Sequence, residues 1–178
     1  CAVAAGCGYA PPAATAGPTE PAAPTAAVVV GAPVSVTIPA LGVTDNIVPV
    51  GLEPDGQLQV PAVDEVGWYT GLPKPGENGP GPALLAGHVN WDGQAGSFAR
   101  IGDLTAGTNI SVTDQNGVRH EFEVFAVAEF DKDDYGRVMP ALLADTAHPE
   151  LRLVTCSGTV TDGEYSDNTV VSARLVTP

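Results

Sequence analysis

One cysteine and one histidine carry most of the chemistry this sequence can offer. Cys156 closes the apolar run Leu151-Arg152-Leu153-Val154-Thr155-Cys156 and is followed at once by Ser157-Gly158. His88 closes a second apolar run, Ala83-Leu84-Leu85-Ala86-Gly87-His88, 68 residues upstream (156 − 88). Cysteine is the strongest nucleophile among the side chains, but only as its thiolate. Imidazole is the side chain best suited to take and return a proton near neutral pH. A thiol at one strand end and an imidazole at another is therefore the layout of a nucleophile and its proton partner. In a strand, Cys156 shares a face with Val154 and Arg152, and Thr155 with Leu153 and Leu151. Gly158 is expected to let backbone approach a ligand closely. Each residue alone also has a plain structural reading, a buried core thiol for Cys156 and a hydrogen-bonded histidine for His88. His120 lies in a polar strand and His148 precedes a proline, so both are expected at the surface.

The elements that must position these residues are short strands. Val34, Val36 and Ile38 alternate with Ser35 and Thr37, which predicts a half-buried strand ended by Pro39. Residues 45–50 predict a second strand and 57–60 a short third, separated by the turn Glu53-Pro54-Asp55-Gly56. Glycines and prolines make 71–82 a long surface loop, and Ala83 to His88 a buried strand. Ser97 to Leu104 suits a short helix with Phe98 and Ile101 on one face. Residues 109–113 and 119–130 form a hairpin around Asp114-Gln115-Asn116-Gly117, since Asn-Gly is a strong hairpin signal. Pro140 to Ala144 suggests a helical turn with proline at its first position. Residues 151–156 and 169–176 are strands. Some eight short strands, few helices and no repeat predict an all-β barrel or sandwich.

Composition narrows the partners. Lys and Arg number 7 against 21 Asp and Glu, for a net charge of −14, and a phosphate backbone needs a basic surface. A nucleic-acid partner is therefore not expected. Residues 1–30 are rich in Ala, Pro, Thr and Gly and predict a semi-extended, disordered tether to a catalytic domain over 31–178. Cys1, and Cys7 after Ala4-Ala5-Gly6, resemble bacterial lipoprotein processing sites; a trimmed signal-peptide end is the plainer alternative. No run of about 18 apolar residues predicts a membrane-spanning helix. Asp131, Asp133 and Asp134 are expected to form a solvated acidic loop rather than a calcium site. Trp68 and Trp91 are expected in core or rim packing, with a substrate groove as the alternative.

Together these residues resemble a known family. Ala86-Gly87-His88-Val89-Asn90, then Gly96-Ser97-Phe98-x-x-Ile101-Gly102-Asp103-Leu104, is similar to the histidine motif of sortases. Leu153-Val154-Thr155-Cys156-Ser157-Gly158 resembles their cysteine motif. Tyr165-x-Asp167-Asn168-x-Val170-Val171 and Val66-Gly67-Trp68-Tyr69 resemble the actinobacterial, class F-like branch. The resemblance covers about residues 33–176. It implies a closed eight-stranded β-barrel and a cysteine transpeptidase of the bacterial exterior, held at the membrane through its N-terminal tether or a lipid. Such enzymes cut surface proteins at a C-terminal sorting signal, commonly of Leu-Pro-x-Thr-Gly type, and pass them to a cell-wall amine. The resemblance makes Cys156 the nucleophile that forms a thioacyl intermediate and His88 the acid and base, with no cofactor or metal. An L,D-transpeptidase would carry His and Cys in one short motif, which this chain lacks.

One position departs from the pattern. Where the class F-like branch carries an arginine, between the tyrosine and Asp-Asn, this chain has Ser166. Serine offers one hydrogen bond and no charged fork. Arg152 is four residues from Cys156, about 13 Å at strand rise, and Arg174 is about 20 Å from Asn168. Asn168 has an amide that could serve an oxyanion, but closing a turn is its expected role. The missing arginine also motivates a rival reading, a catalytically impaired binding module on the same fold.

Overall fold

Alternation of apolar and polar residues decides the strands, and the need to bury one face of each decides how they close. The computed structural model describes residues 29–176. The expected tether over 1–30 falls almost wholly outside these residues, as do Cys1 and Cys7. The strands are β1 (Pro33–Ile38), β2 (Val43–Val50), β3 (Glu65–Tyr69), β4 (Ala83–Ala86), β5 (Asn90–Trp91), β6 (Gln94–Ala95), β7 (Asn109–Asp114), β8 (Arg119–Asp131), β9 (Glu150–Thr161) and β10 (Glu164–Leu175), with one helix, α1 (Tyr135–Leu142). Eight of them form a closed barrel in the order β1-β2-β3-β4-β9-β10-β8-β7, and β5 and β6 pair as a small separate hairpin. Closure leaves no unpaired edge in the barrel. β2 pairs with β3 in parallel, as does β4 with β9, and the other neighbours are antiparallel.

The core fills the barrel. Val36, Ile38, Leu85, Phe122, Leu151 and Leu153 are fully buried within it. Each such side chain contributes roughly 1.5–3 kcal/mol through removal from water. Phe98, Ile101 and Leu104 pack into the same core from outside the strands, and the Phe98 N–H donates to the His88 carbonyl at 3.0 Å. They plug the end of the barrel at which β4 and β9 both finish. Parallel and antiparallel pairings make β10 start at that end, whereas β1 starts and β7 finishes at the other. The chain thus enters the barrel at the end opposite His88.

That entry is clamped by a buried carboxylate. Asp114 Oδ2 accepts from Gly31 N at 2.8 Å and lies 3.3 Å from His120 Nε2, while Oδ1 accepts from Asn116 N at 2.8 Å and Val118 N at 2.9 Å. His120 is therefore not a surface residue. It shares a face with Phe122 and Val124 and is buried, 9% exposed, with Asp114 as the partner of its ring. Burial alone would raise the Asp114 carboxyl; the hydrogen bonds from Gly31, Val118, His120 and Asn116 outweigh it and hold the group below its ordinary value of 3.8. A depressed folded pKa gives stabilisation that is fully present above about pH 4 and lost as the pH falls further. Asp114→Asn will therefore lower stability at pH 7 by about 2–3 kcal/mol, since hydrogen bonds to a charge are lost. Urea unfolding at pH 7 and pH 3 will show a smaller loss on acidification in the variant than in the parent. Equal losses would mean that Asp114 is not the acid-sensitive clamp.

Three expected elements differ. Residues 57–60 form no strand, only a single bridge from Leu58 to Leu52, because the segment crosses between the parallel strands β2 and β3. The helix expected over 97–104 is a single 3-10 turn, Ile101–Asp103, though Phe98 and Ile101 are buried together. The helix expected to begin at Pro140 begins at Tyr135, so Pro140 lies inside it. Asp131 caps the 3-10 turn Lys132–Asp134 that leads into it, its side chain accepting from Asp133 N at 2.8 Å. The expected acidic loop thus has structural work, with Asp134 also paired to Arg137 at 2.8 Å.

Candidate active site

The two parallel-paired strands set the geometry of the site. Ala83, Leu84, Leu85 and Ala86 pair with Leu151, Arg152, Leu153 and Val154, a constant offset of 68. Contact continues one residue further, where Gly87 N donates to the Val154 carbonyl at 3.2 Å and Thr155 Oγ1 donates to the Gly87 carbonyl at 2.8 Å. Carrying that register on by one more residue sets His88 opposite Cys156. The faces agree. Leu85, Leu151 and Leu153 point into the core, so Ala86, His88, Val154 and Cys156 belong to the outer face. Cys156 is a free, half-buried thiol and His88 is half-buried, so neither is the sealed core residue that each could have been alone.

His88 is held from three sides. Its Nε2 lies 3.2 Å from the Pro61 carbonyl, and the Trp91 ring sits 5.3 Å from its own, centroid to centroid. The third support is Gly96, which packs on the His88 backbone where a β-carbon would collide with the carbonyl. Trp91 is 64% exposed, so it is a rim residue beside the histidine, whereas Trp68 is buried in the core. Asn90 Nδ2 donates to the Tyr165 hydroxyl, which ties the segment after His88 to the start of β10.

Beyond Cys156 the sheet carries a bulge that spacing alone conceals. Near the β9–β10 turn, Thr161 pairs with Glu164 and Val160 with Tyr165, but further on Ser157 pairs with Asp167 and Cys156 with Asn168. Gly158 and Thr159 together face Ser166, and Gly158 has φ +80°, the left-handed conformation that such a bulge needs. Gly158 therefore serves the sheet; a β-carbon there would strike Asp167 and Ser166. Gly158→Ala will cost at least about 1–2 kcal/mol from the left-handed backbone alone, read as a lower unfolding midpoint in urea. An unchanged midpoint would mean that the bulge relaxes freely. The bulge also keeps Asn168 in mid-strand, so the expectation that it closes a turn is corrected.

Ser166 and the two arginines of these strands are engaged elsewhere. Ser166 Oγ accepts from Thr159 N at 3.0 Å and donates to Asp167 Oδ2 at 3.0 Å. Arg152 is on the Cys156 face but 6% exposed; it binds Glu150 at 2.7 Å and the Leu142 carbonyl at 3.1 Å. Phe125, the extra residue of a second bulge where β8 meets β10, lies between Arg152 and Arg174, 5.7 and 4.9 Å from its ring centre. Both arginines are thus fixed at a distance from Cys156. A cavity of about 310 Å³, lined by Thr70 to Pro73 and Glu77 to Pro80, lies in the β3–β4 connection at the opposite barrel end. The chemistry-bearing row is an open face, not that cavity. His148 is exposed and takes no part.

The closed eight-stranded barrel that carries the thiol is matched by a family model. The sortase domain model matches residues 36–176. The chain belongs to the sortase family. Solved sortases share its architecture. Sortase A from Corynebacterium diphtheriae is 21% identical, with a TM-score of 0.63 over 85% of this chain and 64% of that one. Sortase C-1 from Actinomyces oris is 20% identical, with a TM-score of 0.63 over 82% of this chain and 72% of that one. No functionally curated protein matches the sequence. At these identities the solved sortases establish the fold, and the chain spans slightly less than two thirds of the Corynebacterium diphtheriae enzyme's length. Among the described residues, no helix is long and apolar enough to cross a membrane.

Of the residues singled out in the sequence, Cys156 lies on β9 and His88 two residues beyond the end of the neighbouring β4, whereas Ser166 and both arginines are committed to structure. Asn168, directly across from the thiol, was the residue whose place sequence reasoning missed. The Asp162-Gly163 turn signal could have led to it, but only with the bulge at Gly158 included.

Proposed function

We propose that this chain is a cysteine transpeptidase. It cleaves a C-terminal sorting signal of Leu-Pro-x-Thr-Gly type and transfers the surface protein to a cell-wall amine. Cys156 attacks the threonine carbonyl and holds the acyl group as a thioester. His88 gives a proton to the departing amine and later takes one from the incoming amine. Covalent capture divides one hard acyl transfer into two easier steps, and one imidazole serves both. The observation that supports this reading is the parallel β4–β9 register, observed as far as Gly87 and Val154; the same offset of 68, carried on by one residue, sets His88 opposite Cys156. The chain's entry at the far end of the barrel suits a domain held from behind by an N-terminal tether or lipid, with its reactive face turned outward. The class F-like assignment rests on the Val66–Tyr69 and Tyr165–Val171 resemblance.

The test is intact-mass spectrometry of the protein mixed with a Leu-Pro-x-Thr-Gly peptide library, beside Cys156→Ala. An acyl mass added to the parent alone supports the reading and reports the preferred motif. A folded protein that gains no adduct and cleaves no peptide would favour the rival reading, a peptide-binding module. The commitment of Ser166, Arg152 and Arg174 to structural contacts is the observation on that side.

A further inference from the structure

Acyl transfer at Cys156 places negative charge on the substrate's carbonyl oxygen twice. When the thiolate attacks, the S–C bond forms and the carbonyl π pair moves onto oxygen. The C–N bond then breaks as His88 gives its proton to the leaving amine. When the incoming amine attacks the thioester, charge returns to the same oxygen before the C–S bond breaks and the thiolate is restored. A donor fixed beside that oxygen stabilises both tetrahedral states more than either ground state.

We infer that the side-chain amide of Asn168 is that donor, a catalytic role that rests on the transpeptidase reading above. Asn168 is the direct antiparallel partner of Cys156. Paired residues put their side chains on one face with β-carbons about 5 Å apart. The faces concur, because Thr169 and Val171 are buried on the inner side and Asn168 is half-buried on the outer. Cys156 and Asn168 thus stand in one row across β9 and β10, and the β4–β9 register, carried two residues past Ala86, adds His88 on the other side of the sulfur. Phe130 of β8, paired with Asn168, continues the row as an apolar wall. Low polarity there strengthens a hydrogen bond to a developing charge. Among the described residues the Asn168 amide has no hydrogen-bond partner, in contrast to Ser166, whose hydroxyl is occupied on both sides. Neither Arg152 nor Arg174 competes for the role, since both flank Phe125 instead.

The test compares Asn168→Ala and Asn168→Asp with the parent in two reactions of the same sulfur. The first is acylation by a Leu-Pro-x-Thr-Gly peptide or, independent of motif, by an activated ester. The second is alkylation by iodoacetamide, which creates no oxyanion. Asn168→Ala is expected to slow acylation about 100-fold, with KM little changed and alkylation within about twofold of the parent. Asn168→Asp, which keeps the shape and adds negative charge, is expected to acylate more slowly still. Acylation by Asn168→Ala within about threefold of the parent overturns the inference. So does a parallel loss of alkylation, which would mark Asn168 as structural. If the parent accepts an acyl group from no donor, the transpeptidase reading falls and this inference falls with it.

Discussion

Cys156→Ala will take up no acyl group from any peptide, and turnover will fall by on the order of 10⁴-fold or more, as when a covalent nucleophile is removed from other acyl-transfer enzymes. The sulfur has no substitute. It is the one cysteine among the described residues. The hydroxyls nearest to it are occupied or turned away: Ser166 is bonded on two sides, and Ser157 is buried on the opposite face of β9. Stability should hardly change, because Cys156 is half-buried on the outer face and not part of the barrel core. Thermal unfolding followed beside the mass measurement separates the two effects. A variant that still cleaves peptide would place the nucleophile elsewhere and undo the proposed mechanism.

His88→Gln will lower turnover by roughly 10²–10⁴-fold, the usual contribution of a positioned acid and base. Glutamine keeps a hydrogen bond to the Pro61 carbonyl within reach but carries no proton at need. Both half-reactions should slow, since the leaving amine must gain a proton and the incoming amine must lose one. Added imidazole should restore part of the rate, because the lost group is small and Trp91 leaves that side of the site open, being 64% exposed. A rate unchanged by the substitution, or a loss matched by unfolding, would remove His88 from the chemistry. The pH–rate profile is the finer readout: without His88, the limb that reports the general acid and base should flatten.

Much of this was legible in one dimension. Cys156 and His88 stand out by type and by the apolar runs that precede them, and their flanking residues carry the sortase resemblance. Period-two alternation shows strands β1 and β9, and Asn116-Gly117 marks the β7–β8 hairpin, because these signals act between residues close in sequence. Local signals failed where a distant partner decided the outcome. His120 reads as polar and exposed until Asp114 and Gly31 satisfy it in the interior. Residues 57–60 read as a strand, yet they find no neighbour along a crossover.

Sequence alone therefore determined the candidate reactive side chains, the all-β class and the family resemblance, since each depends on residue type and short spacing. Tertiary structure decided which groups stand beside the thiol. A simple hairpin about Asp162-Gly163 would pair Cys156 with Thr169, leaving Asn168 on the other face. The extra residue at Gly158 shifts the register by one and brings Asn168 across from the sulfur. With a side-chain period of two, a shift of one residue exchanges the faces. The parallel register of β4 on β9 brings the segment that leads to His88 beside the one that leads to Cys156, across 68 residues, a closure that no local pattern in the chain specifies.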